Sequence, residues 1–186
     1  MEIIEHPSYV SELARYIMTD LKEFRKIQGD DTLGGMVICE TSEQARRLYD
    51  VFQEEWQKYQ PKPIKIKLSD GSYVVGEPEV DYKSKYRPLK AGIILHDTDD
   101  KETRKQIVKD FKKNMTVDIL IVFNMLLTGF DAPRLKRLYF GRKLKDHNLL
   151  QAITRVNRPY PGMRYGFVID FADIKRNFKE TNEAYL

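Results

Sequence analysis

Apolar residues at helical spacing open the chain. Behind Pro7, a residue favoured in the first turn of a helix, they recur every three or four positions, at Val10, Leu13, Ala14, Ile17, Leu21, Phe24 and Ile27. This spacing puts them on one face and predicts a leading amphipathic helix within residues 1–30. A short, wholly apolar run from Met36 to Cys39 follows, and such a run is typical of a strand that is buried on both faces.

Strands and helices then alternate along the chain. Thr41 and Gln44 form a capping box. The helix they begin has an apolar stripe that we expect in the core: Ala45, Leu48, Tyr49, Phe52 and Trp56. Further strands are predicted at residues 92–95, 117–123, 138–141 and 167–169. Helices are predicted at 99–113, where Asp99 and Glu102 are the expected caps, from Asp146 to Pro159, and after the last strand.

Residues 61–90 follow a different pattern. Ile64, Ile66 and Leu68 alternate with lysines, Asp70-Gly71 marks a turn, and Tyr73 begins a second strand, so we predict an inserted β-hairpin. Elsewhere, helices between successive strands imply crossover connections. The prediction is one α/β domain over residues 1–186, three layers thick, with a mostly parallel sheet and helices on both faces. Ligands of such sheets gather at the carboxyl ends of the strands, so we expect the site there.

Charge and cysteine content argue against a protein with a nucleic-acid-binding surface over the whole molecule and against a metal-binding protein. Lysine and arginine number 32 against 28 acidic residues, a net charge of +4, so any nucleic-acid surface has to be local. Cys39 is the single cysteine, is expected to be buried, and has no partners at metal-ligand spacing, so no metal site is predicted. With no secretory leader and no apolar run of membrane length, we expect a soluble, cytoplasmic protein.

One helix carries candidate chemistry. Gln151, Arg155 and Arg158 follow i, i+4, i+7 spacing and share the face opposite the apolar stripe. Two arginines on one polar face can meet a polyphosphate at the carboxyl edge of the sheet. A solvated helix face with no ligand explains the same spacing.

The order of three motifs resembles that of superfamily-two helicases. The run Gln151-Ala-Ile-Thr-Arg155-Val-Asn-Arg158 resembles motif VI, with Thr154 in place of a glycine. Leu127-Thr128-Gly129-Phe130-Asp131-Ala132-Pro133 resembles motif V, and the segment Gly34 to Thr41 resembles motif IV. Within that superfamily, residues 34–175 are most similar to the motor subunit of type I restriction enzymes, including the strings Gly141-Arg-Lys-Leu and Tyr165-Gly-Phe-Val-Ile-Asp-Phe-Ala172.

This resemblance implies the second of two RecA-like lobes, of the P-loop NTPase type, in an ATP-driven DNA translocase. ATP with Mg²⁺ would be held mainly by the first lobe. Arg155 and Arg158 would reach it, with Arg158 the better candidate for the finger on the γ-phosphate. Gln151 would link the nucleotide to the other lobe, and Gly129 and Asp131 would lie near the ribose. The implied partners are the first lobe, double-stranded DNA, and the modification and specificity subunits.

DNA contacts are expected from hydroxyl and basic side chains. Thr128 and Thr41 are candidates for phosphate contacts, although capping alone explains Thr41. A second candidate is the basic cluster of Arg134, Lys136, Arg137, Arg142, Lys143 and Lys145, for which a solvated surface is equally open.

The sequence also lacks a Gly-x-x-x-x-Gly-Lys-Ser/Thr loop and an evident nuclease constellation. We therefore expect neither ATP hydrolysis nor DNA cleavage by this chain alone. The alternatives are the equivalent lobe of another superfamily-two DNA or RNA helicase, which strand-separation assays would distinguish, or a non-catalytic α/β interaction module.

Overall fold

The structure is a computed structural model that describes residues 3–59, 64–68, 71–76, 87–96, 100–125, 130–144 and 146–172. It begins with a 3-10 turn at Ile3–Glu5, and a π-helical turn at Asp110–Asn114 follows the third helix. The helices are α1 (Pro7–Gln28), α2 (Ser42–Tyr59), α3 (Lys101–Lys109) and α4 (Asp146–Val156). The strands are β1 (Gly34–Ile38), β2 (Ile64–Lys67), β3 (Tyr73–Gly76), β4 (Ala91–Ile94), β5 (Ile119–Val122), β6 (Leu135–Phe140) and β7 (Phe167–Asp170).

Five strands form one sheet in the order β4-β5-β1-β6-β7, and every pairing within it is parallel. The central strand β1 approaches the π-helical turn closely. A Cβ built on Gly34 would lie 2.4 Å from the Phe111 ring, which explains why the strand opens with a glycine. β2 and β3 form a separate antiparallel pair, so the inserted hairpin is confirmed.

Helices cover both faces of the sheet, as predicted. Alternate residues of β1 divide between two apolar clusters, since Val37 packs with α1 and α2, whereas Met36 and Ile38 pack with α3 and α4. β6 divides in the same way, with Tyr139 on the α1 side and Leu138 on the α4 side. The three-layer α/β architecture is thereby confirmed, and a side chain's position along β6 decides which helix it meets.

Several details differ from the sequence prediction. Ile27 is 78% exposed and does not belong to the core stripe of α1, because Gly29 ends that helix in the left-handed conformation just beyond it. Trp56 is only half-buried; the charged groups of Arg87 and Lys90 lie 5.7 and 5.9 Å from its ring centroid. Expecting it in the core was wrong.

The predicted helix 99–113 is divided in two, and Asp100 caps its first part, accepting a hydrogen bond from the Thr103 N–H at 2.7 Å. Glu102 lies in the first turn and pairs with Lys105. Asp99 and the predicted helix after β7 lie outside the described residues.

A buried ionic network joins α1 to the amino edge of the sheet. Asp118, just before β5, accepts hydrogen bonds at Oδ1 from Arg25 at 2.9 Å and Arg87 at 2.8 Å, and at Oδ2 from the Lys90 N–H at 2.7 Å. The side chains of Arg25 and Asp118 are 6% and 1% exposed. Because both charges are removed from water, each depends on the other for compensation.

Candidate functional site

Helix α4 crosses from one edge of the sheet to the other with Arg155 in its last turn, whereas Arg158 lies two residues past its end at Val156. The prediction that the helix continues to Pro159 and carries Arg158 on its polar face is therefore wrong. The helix begins after the carboxyl end of β6, and its apolar residues Leu149, Ala152 and Val156 are buried against the sheet. At its far end, the Lys136 ammonium donates hydrogen bonds to the carbonyls of Val156, at 3.3 Å, and Arg158. Lys136 is the second residue of β6, so α4 ends at the amino edge of the sheet. The expectation that Arg155 and Arg158 lie at the carboxyl edge is wrong, because a crossover helix runs antiparallel to its strands.

Arg155 is attached to the segment that enters β6. Its Nη1 donates to the Phe130 carbonyl at 2.8 Å, and Phe130 itself is buried beside the ring of Phe111. Burial lowers the pKa of the Arg155 guanidinium, the positive charge of Arg158 lowers it further, and Asp131 opposes them. These three side chains therefore lie within electrostatic reach of one another, as candidates from two separate motifs.

Arg158 is held loosely. Its Nε lies 3.4 Å from Asp131 Oδ1, and the two side chains are 46% and 59% exposed. A pair so open to water contributes about 1 kcal/mol or less, so a stronger anion can draw the guanidinium away. Arg158 is therefore the more available of the two arginines.

Gln151 and Thr154 complete the polar side of α4. The Gln151 amide nitrogen contacts His147 Nε2, and its Oε1 is buried without a hydrogen-bond partner among the described residues. The Thr154 side chain is exposed, and its hydroxyl donates to the Gln151 carbonyl at 2.8 Å. The helix therefore accommodates the threonine that replaces the glycine of the motif.

The carboxyl edge carries a different set of candidates. The Thr41 hydroxyl accepts from the Gln44 N–H at 3.0 Å, and Gln44 Oε1 accepts from the Glu40 N–H at 2.8 Å. The capping role of Thr41 is confirmed, with the return bond made one residue earlier than a capping box requires. Its hydroxyl also donates to Glu5 Oε1 at 2.7 Å.

Arg142 and Lys143 follow β6 at the same edge. Arg142 donates to the side-chain oxygen of Asn124 and lies 5.5 Å from the Phe123 ring centroid, while Lys143 is exposed. The structure thus separates the candidates for DNA contact from the arginines of α4. Thr128 and Gly129 lie outside the described residues.

The predicted basic cluster does not form one surface. Arg134 and Lys136 are buried, and Arg134 donates to the carbonyls of Phe111 and Val117. Arg137 forms a two-pronged ion pair with Asp20 of α1. Three of the six basic residues therefore stabilise the fold, so treating the cluster as a unit was wrong; Lys145 lies outside the described residues.

The contact of Lys136 with the end of α4 has no signal in the sequence. Its partners are two backbone carbonyls 20 and 22 residues further along, which no side-chain pattern marks. In the described part of the chain, no group of His, Cys, Asp or Glu is arranged to hold a metal ion. No helix in that part is both long and apolar enough to cross a membrane.

Solved structures define the class of fold. The chain aligns over 96% of its length with a structure of DEAD-box helicase domain 2 of Mss116p bound to an RNA duplex, with a TM-score of 0.58 and 16% identity, covering 56% of that structure. The C-terminal domain of the DEAD-box protein Dbp5 gives a TM-score of 0.52 at 17% identity, over 90% of this chain and 79% of that one. The fold is that of the second RecA-like domain of helicases, as predicted.

Sequence relatives then define the family. Residues 32–173 match the family described as type I restriction enzyme subunit R domain 3, and the chain belongs to it. It is 42% identical over 78 residues to the SauCOLORF180P endonuclease subunit of a type I restriction enzyme from Staphylococcus aureus, covering 41% of this chain and 8% of that protein. It is 32% identical over 94 residues to the HindI endonuclease subunit of a type I restriction enzyme from Haemophilus influenzae, covering 49% of this chain and 9% of that protein. The chain thus matches less than a tenth of either relative's length.

Proposed function

We propose that this chain is the second motor lobe of an ATP-dependent DNA translocase within a type I restriction endonuclease. Membership of the subunit R family supports the placement of this lobe in a type I restriction enzyme. The proposal depends on one local observation. Just past the end of α4, at the amino edge of the sheet, Arg158 and Asp131 form an exposed ion pair beside Arg155. A first lobe that holds ATP with Mg²⁺ would dock against this end.

The two arginines have different roles in this proposal. Arg158 is the finger, because its weak, half-exposed pair with Asp131 leaves the guanidinium able to move to the γ-phosphate. Arg155 is fixed to the Phe130 carbonyl and holds the segment with Asp131 against α4. Gln151 lies one helical turn before Arg155 and would link the nucleotide to the first lobe.

The residues present fit a polyphosphate, and in the described part of the chain no group of three or more His, Cys, Asp or Glu is arranged to hold a metal ion. Bound ATP supplies the phosphoryl group whose transfer drives movement. Charge accumulates on the phosphoryl oxygens in the transition state, and an arginine finger that neutralises it is worth about 10³ to 10⁵ in rate. Alone, this chain is inactive, since it has no phosphate-binding loop.

For DNA, we assign the opposite edge. Thr41, Arg142 and Lys143 lie there after neighbouring strands β1 and β6. The two basic residues would present cations to a phosphate backbone, and the Thr41 hydroxyl would contact it by exchanging its hydrogen bond to Glu5 for one to a phosphate oxygen. Thr128 and Gly129 of the motif V segment, for DNA and nucleotide respectively, stay proposals from the resemblance. The intact enzyme would work in a cytoplasmic complex with the modification and specificity subunits.

The test is Arg158→Ala in the full-length subunit, assayed for DNA-stimulated ATP hydrolysis. We expect kcat to fall by about 10³-fold or more with little change in KM, because the lost interaction exists mainly in the transition state. Arg164→Ala is the matched control, since Arg164 is an exposed arginine on the turn beyond α4. A kcat within about threefold of the wild-type value would refute the finger. ATP turnover by the 186-residue chain alone would refute its inactivity.

A further inference from the structure

We propose that Lys136 is the positioning residue for Arg158: its buried ammonium fixes the end of α4 from which the arginine projects. This inference rests on the proposed function of Arg158. Lys136 stands on the face of β6 that α4 covers, and the residue is wholly buried. Its Nζ donates to the Val156 carbonyl at 3.3 Å and to the carbonyl of Arg158 itself.

The contact gives hydrogen-bond donors to backbone carbonyls that the end of a helix leaves without partners. The last carbonyls of an α-helix have no intrahelical partner, and a cation placed there also interacts favourably with the negative end of the helix dipole. Within the described residues, Lys136 forms no ion pair, so these two carbonyls are the partners that compensate its burial. Moving residues 156–158 away from Lys136 would therefore leave its buried ammonium without hydrogen-bond acceptors.

A second contact restrains the same turn. A Cβ built on Gly166 would lie 2.4 Å from the Val156 carbonyl oxygen, so the chain that leads into β7 passes directly against it. The Gly166 N–H also donates to Asn157 Oδ1 at 3.3 Å. The backbone of residues 156–158 is thus held both by the lysine and by the segment before β7, whereas the Arg158 side chain is restrained by its exposed pair with Asp131.

The catalytic consequence follows because phosphoryl transfer is sensitive to the position of the groups that stabilise its transition state. Displacing a reacting or stabilising group by about 1 Å can cost about 10² in rate. Lys136→Met removes the ammonium with its charge and donors but keeps an unbranched side chain as far as the Cε position. In the full-length subunit, we expect kcat for DNA-stimulated ATP hydrolysis to fall by about 10- to 100-fold, with KM for ATP nearly unchanged.

A double-mutant cycle distinguishes positioning from general damage. If Lys136 acts through Arg158, then Lys136→Met has no further effect on kcat in an Arg158→Ala background. Arg137→Met is the matched control, because Arg137 is the next residue of β6 but pairs with Asp20 on the opposite face. It should lower the unfolding temperature and leave kcat of the folded enzyme unchanged.

Gly166→Ala provides a second route if Lys136→Met does not fold. Its methyl group would collide with Val156, at 2.3 Å from Cβ and 2.4 Å from the carbonyl oxygen, and it leaves the lysine side chain intact. The same loss of kcat, absent in the Arg158→Ala background, is expected. If Lys136→Met or Gly166→Ala lowers kcat by the same factor in the wild-type and the Arg158→Ala backgrounds, the positioning role is overturned. A wild-type kcat for the folded single variants would also overturn it, and in both cases the finger role of Arg158 would stand. Failure of Arg158→Ala alone to lower kcat would instead overturn the proposed function, and the positioning role with it.

Discussion

Replacing Asp118 by asparagine tests the electrostatic account of the fold. In the native chain, Oδ1 faces the guanidinium groups of Arg25 and Arg87, and Oδ2 faces the Lys90 N–H. The asparagine amide has one oxygen and one NH₂ group, so a donor must face another donor on one of the two sides. The substitution also removes the negative charge that compensates Arg25.

The expected loss follows from the burial of the pair. Removing one partner of a buried ion pair costs about 3–5 kcal/mol, because the other charge stays out of water. Only Arg87 can turn to solvent, since its side chain is 44% exposed whereas that of Arg25 is 6% exposed. For a domain of this size, about 2–4 °C per kcal/mol gives a fall in the unfolding midpoint of roughly 6–20 °C.

Thermal unfolding of the 186-residue chain, followed by circular dichroism, measures this loss. Glu55→Gln is the control, because it removes an acidic partner from an exposed pair with Lys58 and should leave the midpoint unchanged. An Asp118→Asn variant that melts within 2 °C of the wild type, as roughly one kcal/mol or less would produce, would show that the network does not hold α1 to the sheet.

Two further outcomes follow from the titratable groups. Burial raises the pKa of Asp20, but hydrogen bonds from Arg137 and Tyr139 outweigh it and hold that pKa below 3.8 in the folded chain. The resulting stability is present above pH 3.8 and is lost as pH falls through the lowered pKa, so acid unfolding of Asp20→Asn should show less dependence on pH in that range; an unchanged profile would contradict this. Burial raises the pKa of the Cys39 thiol to about 12, so the native chain should resist a disulfide reagent at pH 8 and react only as urea unfolds it, whereas rapid labelling of the folded chain would be inconsistent with the buried strand.

Periodicity predicted the elements whose partners share a face. The stripe from Val10 to Phe24 is buried in α1, and the apolar run at Met36 lies in the central strand β1. The pattern failed where a tertiary neighbour decides the outcome. Trp56 stands on the same helical stripe as Phe52, but its position near the end of α2 leaves it beside cations at the margin of the core.

The sequence named side chains that the structure brings together, but it placed them at the wrong edge of the sheet. The spacing of Arg155 and Arg158 identified side chains that do lie together near Asp131. Their edge was wrong, since the rule for ligand sites in parallel sheets applies to loops after strands, and these residues end a crossover helix. Sequence alone could not reveal Lys136 as a cap, because a lysine on a strand looks solvated until the helix above it is known.

The central claim is that Arg158 reaches a nucleotide held by another lobe. The most direct measurement is a structure of the full-length subunit with DNA, ADP, Mg²⁺ and aluminium fluoride, which mimics the transferred phosphoryl group. We expect the Arg158 guanidinium to leave Asp131 and bind the fluoride complex at about 3 Å, with the Arg158 carbonyl still on Lys136. An Arg158 that stays on Asp131, with the end of α4 facing solvent or a surface remote from the nucleotide, would contradict the account.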